Sequence, residues 1–247
     1  MRRPSTMTAI LALAVQACTA APNSKDGGPA RDVGADGTPP ATSPLGLACS
    51  PGVNPTDPLI ADFSAASFNN NKGRWGGALN LTLFTYGYRA PNTNDTSEDT
   101  LAGEAFGLSG QVMPSYNDSY AGGGIHFDSC LNTTTYRGVQ FNLTGSSGGC
   151  TIYFELQTYS QEPINERGGC ASYCFQFPRI AVTPRPTPIT VYFSDLAGTG
   201  IPSSPTGIAS EIMGLRWQLE LPSAPADAGA PTCTFSITID DVKLVKG

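Results

Sequence analysis

Histidine is nearly missing from this chain of 247 residues, where His126 stands alone. One imidazole excludes a centre built on several histidines, and the cysteines do not make up the difference. Cys170 and Cys174 are closely spaced, but no second such pair exists to complete a tetrahedral zinc site. Basic side chains are also scarce, with 14 Lys and Arg against 20 Asp and Glu and a formal net charge of −6. A basic stripe along which a nucleic acid could lie is therefore absent, and nucleic acid is excluded as a partner. The apolar run Ala9-Ile10-Leu11-Ala12-Leu13-Ala14-Val15 is too short to cross a bilayer. Helical periodicity hardly shows in the rest of the chain.

What is present begins with Met1-Arg2-Arg3, the apolar run, and then Gln16-Ala17-Cys18. Charged, apolar and small-residue regions in that order make residues 1–17 a secretory signal peptide. Val15-Gln16-Ala17-Cys18 resembles the lipobox of bacterial lipoproteins, which implies that Cys18 is lipidated and becomes the new N-terminus. The alternative is an ordinary secretory cleavage near Ala20 or Ala21, with export but no anchor. Thr19 stands where an Asp would, by the same resemblance, favour the inner membrane, so the expected place is the outer membrane or cell surface. Loss of residues 1–17 removes two arginines and no acids, leaving 12 basic against 20 acidic side chains and a net charge of −8.

Residues 18–57 follow as the lipidated cysteine and a stretch dominated by Pro, Gly, Ala, Ser, Thr and Asp. With almost nothing large and apolar they cannot offset the entropy of ordering, and they are expected to form a tether. Residues 58–247 then form one domain, enough for a single sizeable core. Cys18 aside, the cysteines are Cys49, Cys130, Cys150, Cys170, Cys174 and Cys233, an even set in an oxidising compartment. Disulfides are the natural reading, and six cysteines permit 15 connectivities.

Strand signals recur at 59–64, 79–86, 104–110, 122–128, 136–144, 150–159, 174–182, 188–194, 214–221 and 233–245, with one helical turn at Gly207–Met213. Side chains alternate between the two faces of a strand. In 150–159, Ile152, Phe154 and Leu156 face one way, while Tyr153, Glu155, Gln157 and Tyr159 face the other. In 214–221, Leu215, Trp217, Leu219 and Leu221 face the core, with Arg216, Gln218 and Glu220 opposite. Val139, Phe141 and Leu143 point inward from 136–144, and Gln140 and Asn142 outward. The last strand points Phe235, Ile237 and Ile239 inward and then Val242 and Leu244, a slip of phase that predicts a β-bulge at Asp240-Asp241. The fold class is all-β, a two-sheet antiparallel β-sandwich of jelly-roll type. Within it the expected disulfides are Cys49–Cys233, tying the start of the domain to its last strand, Cys130–Cys150, clamping the base of a hairpin, and Cys170–Cys174, closing a tight loop.

The order of motifs resembles the galactose-binding-like jelly rolls that include family-eleven and family-thirty carbohydrate-binding modules. The resemblance rests on Leu59-Ile60-Ala61-Asp62-Phe63, Gly73-Arg74-Trp75-Gly76, Tyr120-Ala121-Gly122-Gly123-Gly124-Ile125 and Tyr136-Arg137-Gly138-Val139-Gln140-Phe141. Further along it includes Ile189-Thr190-Val191-Tyr192-Phe193-Ser194-Asp195-Leu196 and Ile237-Thr238-Ile239-Asp240-Asp241-Val242. It implies a monomeric module that binds polysaccharide or a cell-surface glycan without catalysis and needs no cofactor. A structural calcium would fall to Asp62 and to Asp240 or Asp241; Ser64, where several related modules carry Glu, weakens that site.

Sugar recognition asks for flat aromatic rings flanked by amide, carboxylate and guanidinium groups. Tyr153, Glu155, Gln157 and Tyr159 offer that mixture, joined by Arg216, Gln218, Glu220, Gln140 and Tyr192 if their strands share the sheet. Tyr86, Tyr88, Tyr116 and Tyr120 are second candidates at strand ends and loops. An ordinary solvated sheet face is the plain alternative. Two other functions are weighed: a structural or adhesive surface lipoprotein that binds another protein, and a glycoside-processing enzyme using carboxylates among Glu104, Glu155 and Glu220. Gly145-Ser146-Ser147-Gly148-Gly149 matches the serine-hydrolase elbow pattern in letters, but it joins two strands and His126 precedes it. It reads as a Gly/Ser hairpin loop.

Overall fold

A computed structural model describes residue 49, residues 52–64, 75, 81–89, 97–101, 105–114, 119–164, 168–222 and 232–247. The chain divides after Pro39, and all described residues belong to the second part. The signal peptide, Cys18 and most of the tether lie outside them. Eleven strands and one short helix are described: β1 Leu59–Ala61, β2 Leu81–Arg89, β3 Ser97–Leu101, β4 Phe106–Val112, β5 Ser119–Leu131, β6 Tyr136–Ser146, β7 Thr151–Thr158, β8 Arg179–Val182, β9 Arg185–Tyr192, α1 Pro205–Ser210, β10 Ile212–Glu220 and β11 Cys233–Lys246. None of the described helices is long and apolar enough to cross a membrane.

The strands form two antiparallel sheets. One runs β2-β5-β10-β7-β8, and the other β3-β4-β11-β6-β9, with β1 also pairing with β11. β1 lies beside Val242 and Lys243 of β11, while β4 pairs with 233–239. Apolar alternation drives the sheets together: Ile152, Phe154, Leu156, Leu215, Trp217 and Leu219 from one face Val139, Phe141, Leu143, Phe235, Ile237 and Ile239 from the other, all essentially buried. Phe141 marks the meeting, its ring centroid 4.8 Å from Phe154 and 5.3 Å from Trp217 across the interface. Each such aromatic contributes about 1.5–3 kcal/mol by burial.

The bulge is where the phase slip places it. Pairing between β11 and β6 shifts register between Asp240 and Lys243, and Asp241 takes a φ of 50°. β3 is absent from the sequence reading; it stands at the end of its sheet, paired with β4. The strand expected at 174–182 shortens to Arg179–Val182, since Phe175 at φ 67° breaks an extended path. α1 starts earlier than expected because Ser204 caps it, its hydroxyl accepting from the Gly207 N–H at 3.1 Å, with Pro205 in the first turn.

Two expected disulfides are corrected. The structure pairs Cys49 with Cys130 and Cys150 with Cys233, and keeps Cys170–Cys174. β5 and β7 both flank β10 antiparallel to it, with Ile212 opposite Leu131 on one side and Thr158 on the other. The end of β5, and with it Cys130, therefore lies at the opposite end of the sheet from Cys150, the eight residues of β7 away, about 25 Å. Cys150 meets Cys233 instead because β11 runs antiparallel to β6, setting Ser236 opposite Ser146 just before the chain reaches Cys150. Cys49 is drawn to Cys130 by a parallel bridge between Val53 and Leu131, so the last residues of the expected tether are tied into the domain.

The Gly/Ser segment is not a hairpin loop. β6 and β7 belong to different sheets, and 147–150 arches between them. Gly148 at φ 58° passes so close to Thr234 that a Cβ would meet its carbonyl oxygen at 1.7 Å.

Candidate functional site

The outer face of the five-stranded sheet is assembled by register. Residues directly opposite one another share a face. Phe84, Gly124, Arg216, Glu155 and Arg179 form one row across β2, β5, β10, β7 and β8. Tyr86, Gly122, Gln218, Tyr153 and Ala181 form the next. β5 contributes two glycines at the middle of this face. A Cβ on Gly122 would stand 2.8 Å from the Tyr86 hydroxyl, and one on Gly124 would stand 2.8 Å from the Arg216 Cβ. The bare backbone lets Tyr86 reach across the strand and donate its hydroxyl to Gln218 Oε1 at 3.1 Å.

Around that crossing the polar groups satisfy one another. Arg216 donates from Nε to Glu155 Oε2 and from its guanidinium to Gln218 Oε1 at 3.0 Å. Its flat guanidinium lies between two rings, 4.9 Å from the centroid of Tyr86 and 4.8 Å from that of Phe177. Gln218 donates its amide to Glu220 Oε1 at 2.7 Å, and Arg179 donates to the same oxygen at 2.5 Å. Arg179 also stands 3.5 Å from Glu155 and 4.3 Å over the Tyr153 ring. Tyr120 joins from β5, its ring centroid 5.9 Å from that of Tyr86.

Desolvation works against the charges of Arg216 and Arg179, but it is more than offset, for Arg216 by Tyr86 and Glu155 and for Arg179 by Glu220 and Glu155, so both pKa values are raised. Burial pushes the Tyr86 phenol up, Arg216 opposing. The two guanidinium groups are paired with Glu155 and Glu220, and the buried Glu162 also acts on Arg216, so neither arginine is left as an unpaired cation.

The face is not open along its whole length. Glu155, Gln157 and Gln218 are buried, whereas the side chains of Glu220 and Arg179 remain 24% and 39% exposed. The connection from β7 to β8 covers the Gln157 end. There Gln157 Nε2 faces Glu162 Oε2 at 3.5 Å, Glu162 is itself buried, and Gln157 Oε1 finds no partner among the described residues. Tyr153, Tyr120, Arg179 and Glu220 are the partly exposed side chains of this face, with Glu155, Gln157, Arg216, Gln218 and the buried Tyr86 phenol beneath them as support.

Of the first-choice residues named from sequence, Tyr153, Glu155, Gln157, Arg216, Gln218 and Glu220 do come together, and Tyr159, Gln140 and Tyr192 do not. Tyr159 follows the last residue of β7 and packs beside Met213 and the Cys49–Cys130 disulfide. Gln140 and Tyr192 belong to β6 and β9 of the other sheet. Gln140 donates to Thr190 Oγ1 at 2.8 Å, and Tyr192 lies under Arg137, 5.1 Å from guanidinium to ring, beside a depression of about 430 Å³. Alternation identifies an outward residue but not the sheet that carries it. Arg179 and Phe177 escaped sequence reasoning because the pairing of β8 with β7 is a tertiary fact. Tyr86 and Tyr120, second candidates from the sequence, do join the network, and the three consecutive glycines of β5 are the sequence signal for the close approach that admits Tyr86.

The pairing of β1 with β11 brings Asp62 near the bulge at Asp240 and Asp241. Asp62 Oδ1 accepts from the Ser64 N–H and hydroxyl, and Asp241 Oδ2 accepts from Asn142 Nδ2. No group of three or more His, Cys, Asp or Glu arranged for a metal occurs among the described residues. These side chains alone therefore do not make the oxygen shell that calcium requires.

The fold is similar to the family 11 carbohydrate-binding module of the cellulosomal cellulase Lic26A-Cel5E of Clostridium thermocellum, at 12% identity and a TM-score of 0.45 over 77% of this chain and 95% of that one. A family 11 module from the same organism, in complex with a β-1,3-1,4-mixed-linked tetrasaccharide, matches at 11% identity and a TM-score of 0.42 over 67% of this chain and 89% of that one. The glycoside hydrolase domain of Endo-D from Streptococcus pneumoniae R6 matches at 10% identity and a TM-score of 0.37, over 70% of this chain and 23% of that one. No family model and no curated protein matches the sequence.

Proposed function

We propose that this chain is a lipid-anchored surface module that binds a neutral polysaccharide or oligosaccharide and leaves it chemically unchanged. One observation carries the reading. A network in which two arginines pair with two glutamates and a glutamine, edged by Tyr120 and Tyr153, lies on a sheet face where the bare backbone of Gly122 and Gly124 leaves room for Tyr86 and Arg216 to pack across it. Sugar hydroxyls need paired donors and acceptors held in fixed directions, and pyranose C–H faces need flat rings. Glu155 and Glu220 are each joined to an arginine, which suits a binding network better than proton transfer.

The test uses the full chain with Cys18→Ser, so that acylation does not interfere, against a panel of cellulose, mixed-linkage β-glucan, xylan, mannan and starch. Retention on at least one of them with no soluble product released supports the reading. Tyr153→Ala and Arg179→Ala should each weaken that binding about tenfold, the scale of one charge-assisted hydrogen bond or ring contact. Product release would make the protein an enzyme. Retention on none would remove the glycan reading in favour of a protein-binding surface lipoprotein.

A further inference from the structure

Four described residues other than glycine have positive φ: Phe63, Tyr173, Phe175 and Asp241. Bulky side chains resist that conformation, so each outlier needs a reason. Phe63 is buried against Phe106, and Asp241 forms the bulge of β11. Tyr173 and Phe175, at φ 54° and 67°, lack a comparable return, being 88% and 51% exposed.

Their loop is nevertheless firmly built. The Cys170–Cys174 disulfide closes it, and the backbone is fastened on both sides. The Cys170 N–H donates to the Glu162 carbonyl at 2.9 Å, the Phe175 N–H to the Gln161 carbonyl at 2.9 Å, and the Gln176 N–H to Gln161 Oε1 at 3.1 Å. Gln176 Nε2 donates back to the Tyr173 carbonyl at 2.9 Å. The backbone that carries the two exposed rings is thus held by a covalent clasp and a hydrogen-bonded frame, and little backbone entropy is left to lose on binding. The loop is also continuous with the sheet face, since Phe175 lies 6.0 Å from Phe177, edge to face, and Phe177 stacks on Arg216.

We infer that the Cys170–Cys174 loop is a second binding platform that extends the sheet face, with Tyr173 and Phe175 stacking on sugar rings of the same glycan chain beyond those held at Tyr153 and Arg179. This rests on the glycan reading above and adds to it that the ligand is a polymer long enough to span both places. A short oligosaccharide fills the sheet face alone; a chain interior touches both.

The experiment compares the best-binding polysaccharide of the panel with the tetrasaccharide cut from it, measured on the full chain with Cys18→Ser. Tyr173→Ala and Phe175→Ala should each lower affinity for the polymer about tenfold, Tyr173→Ala while leaving tetrasaccharide affinity and Tm unchanged, and Tyr173→Phe should retain wild-type polymer binding. Paired Cys170→Ser and Cys174→Ser substitutions, which keep the rings but release the clasp, should lower polymer affinity in the same selective way. Unchanged polymer affinity in Tyr173→Ala, or an equal fall for polymer and tetrasaccharide, would overturn the inference and leave the glycan reading standing. An unsubstituted chain that binds no panel member removes both.

Discussion

At the scale of single residues, the polar face depends on what Gly122 and Gly124 omit. A Cβ on Gly122 would also stand 2.5 Å from the Trp217 carbonyl oxygen, and one on Gly124 would stand 2.2 Å from the Leu215 carbonyl oxygen. These are backbone atoms of the neighbouring strand and cannot swing aside. Gly124→Ala should therefore destabilise the domain by roughly 2 kcal/mol or more, in the range of overpacked cores, as read by urea denaturation. Glu211 supplies a prediction in pH. Burial raises its pKa, although the Ser160 hydroxyl, donating at 2.5 Å, pulls the other way. A carboxyl whose folded pKa lies above its unfolded value binds its proton more tightly when folded, so its contribution is complete below the unfolded pKa and is lost as pH rises through the folded one. Glu211→Gln should thus raise Tm at pH 7, and the gain should vanish below the ordinary glutamate pKa. A gain that persists at low pH would rule out titration of Glu211 as the cause.

At the scale of elements, alternation was a sound guide to strands with one clean apolar face. Leu215, Trp217 and Leu219 point into the core and Arg216 and Gln218 out of it because a slip of one residue would bury charge along all of β10. The same reasoning located the bulge in β11. It cannot say which strands neighbour one another: Gln140 and Tyr192 face outward from the opposite sheet, and Cys130 and Cys150 stand at opposite ends of theirs. The observed disulfides make an ordered prediction. Cys150–Cys233 closes a separation of 83 residues and Cys170–Cys174 one of 4. In the chain-entropy model these constrain the unfolded chain by roughly 4.5 and 2 kcal/mol. Paired serine substitutions at Cys150 and Cys233 should accordingly lower unfolding free energy by more than those at Cys170 and Cys174. The reverse order would mean that the small loop has a larger part in the fold than its chain length implies.

At the scale of the whole molecule, the folded domain and its attachment are separate questions. The attachment is proposed from Val15-Gln16-Ala17-Cys18. Cells fed a labelled fatty acid should yield a labelled, membrane-retained protein, and Cys18→Ala should lose both properties. Label surviving in the Cys18→Ala chain would place the lipid elsewhere, and an unlabelled wild type would leave simple secretion after Ala20 or Ala21.

Sequence alone determined the class of this protein, the inward faces of its clearest strands and the polar character of strands β7 and β10. Each of those follows from local periodicity and composition, which need no knowledge of neighbours. The tertiary structure decided the rest, because it depends on which distant segments meet. Pairing across β2, β5, β10, β7 and β8 turned scattered Tyr86, Arg216, Glu155 and Arg179 into one network. The β7–β8 connection then buried Gln157 and turned an ordinary outward residue into support. Antiparallel direction at β11 chose the partner of Cys150, since a cysteine bonds only what the strand order brings within reach.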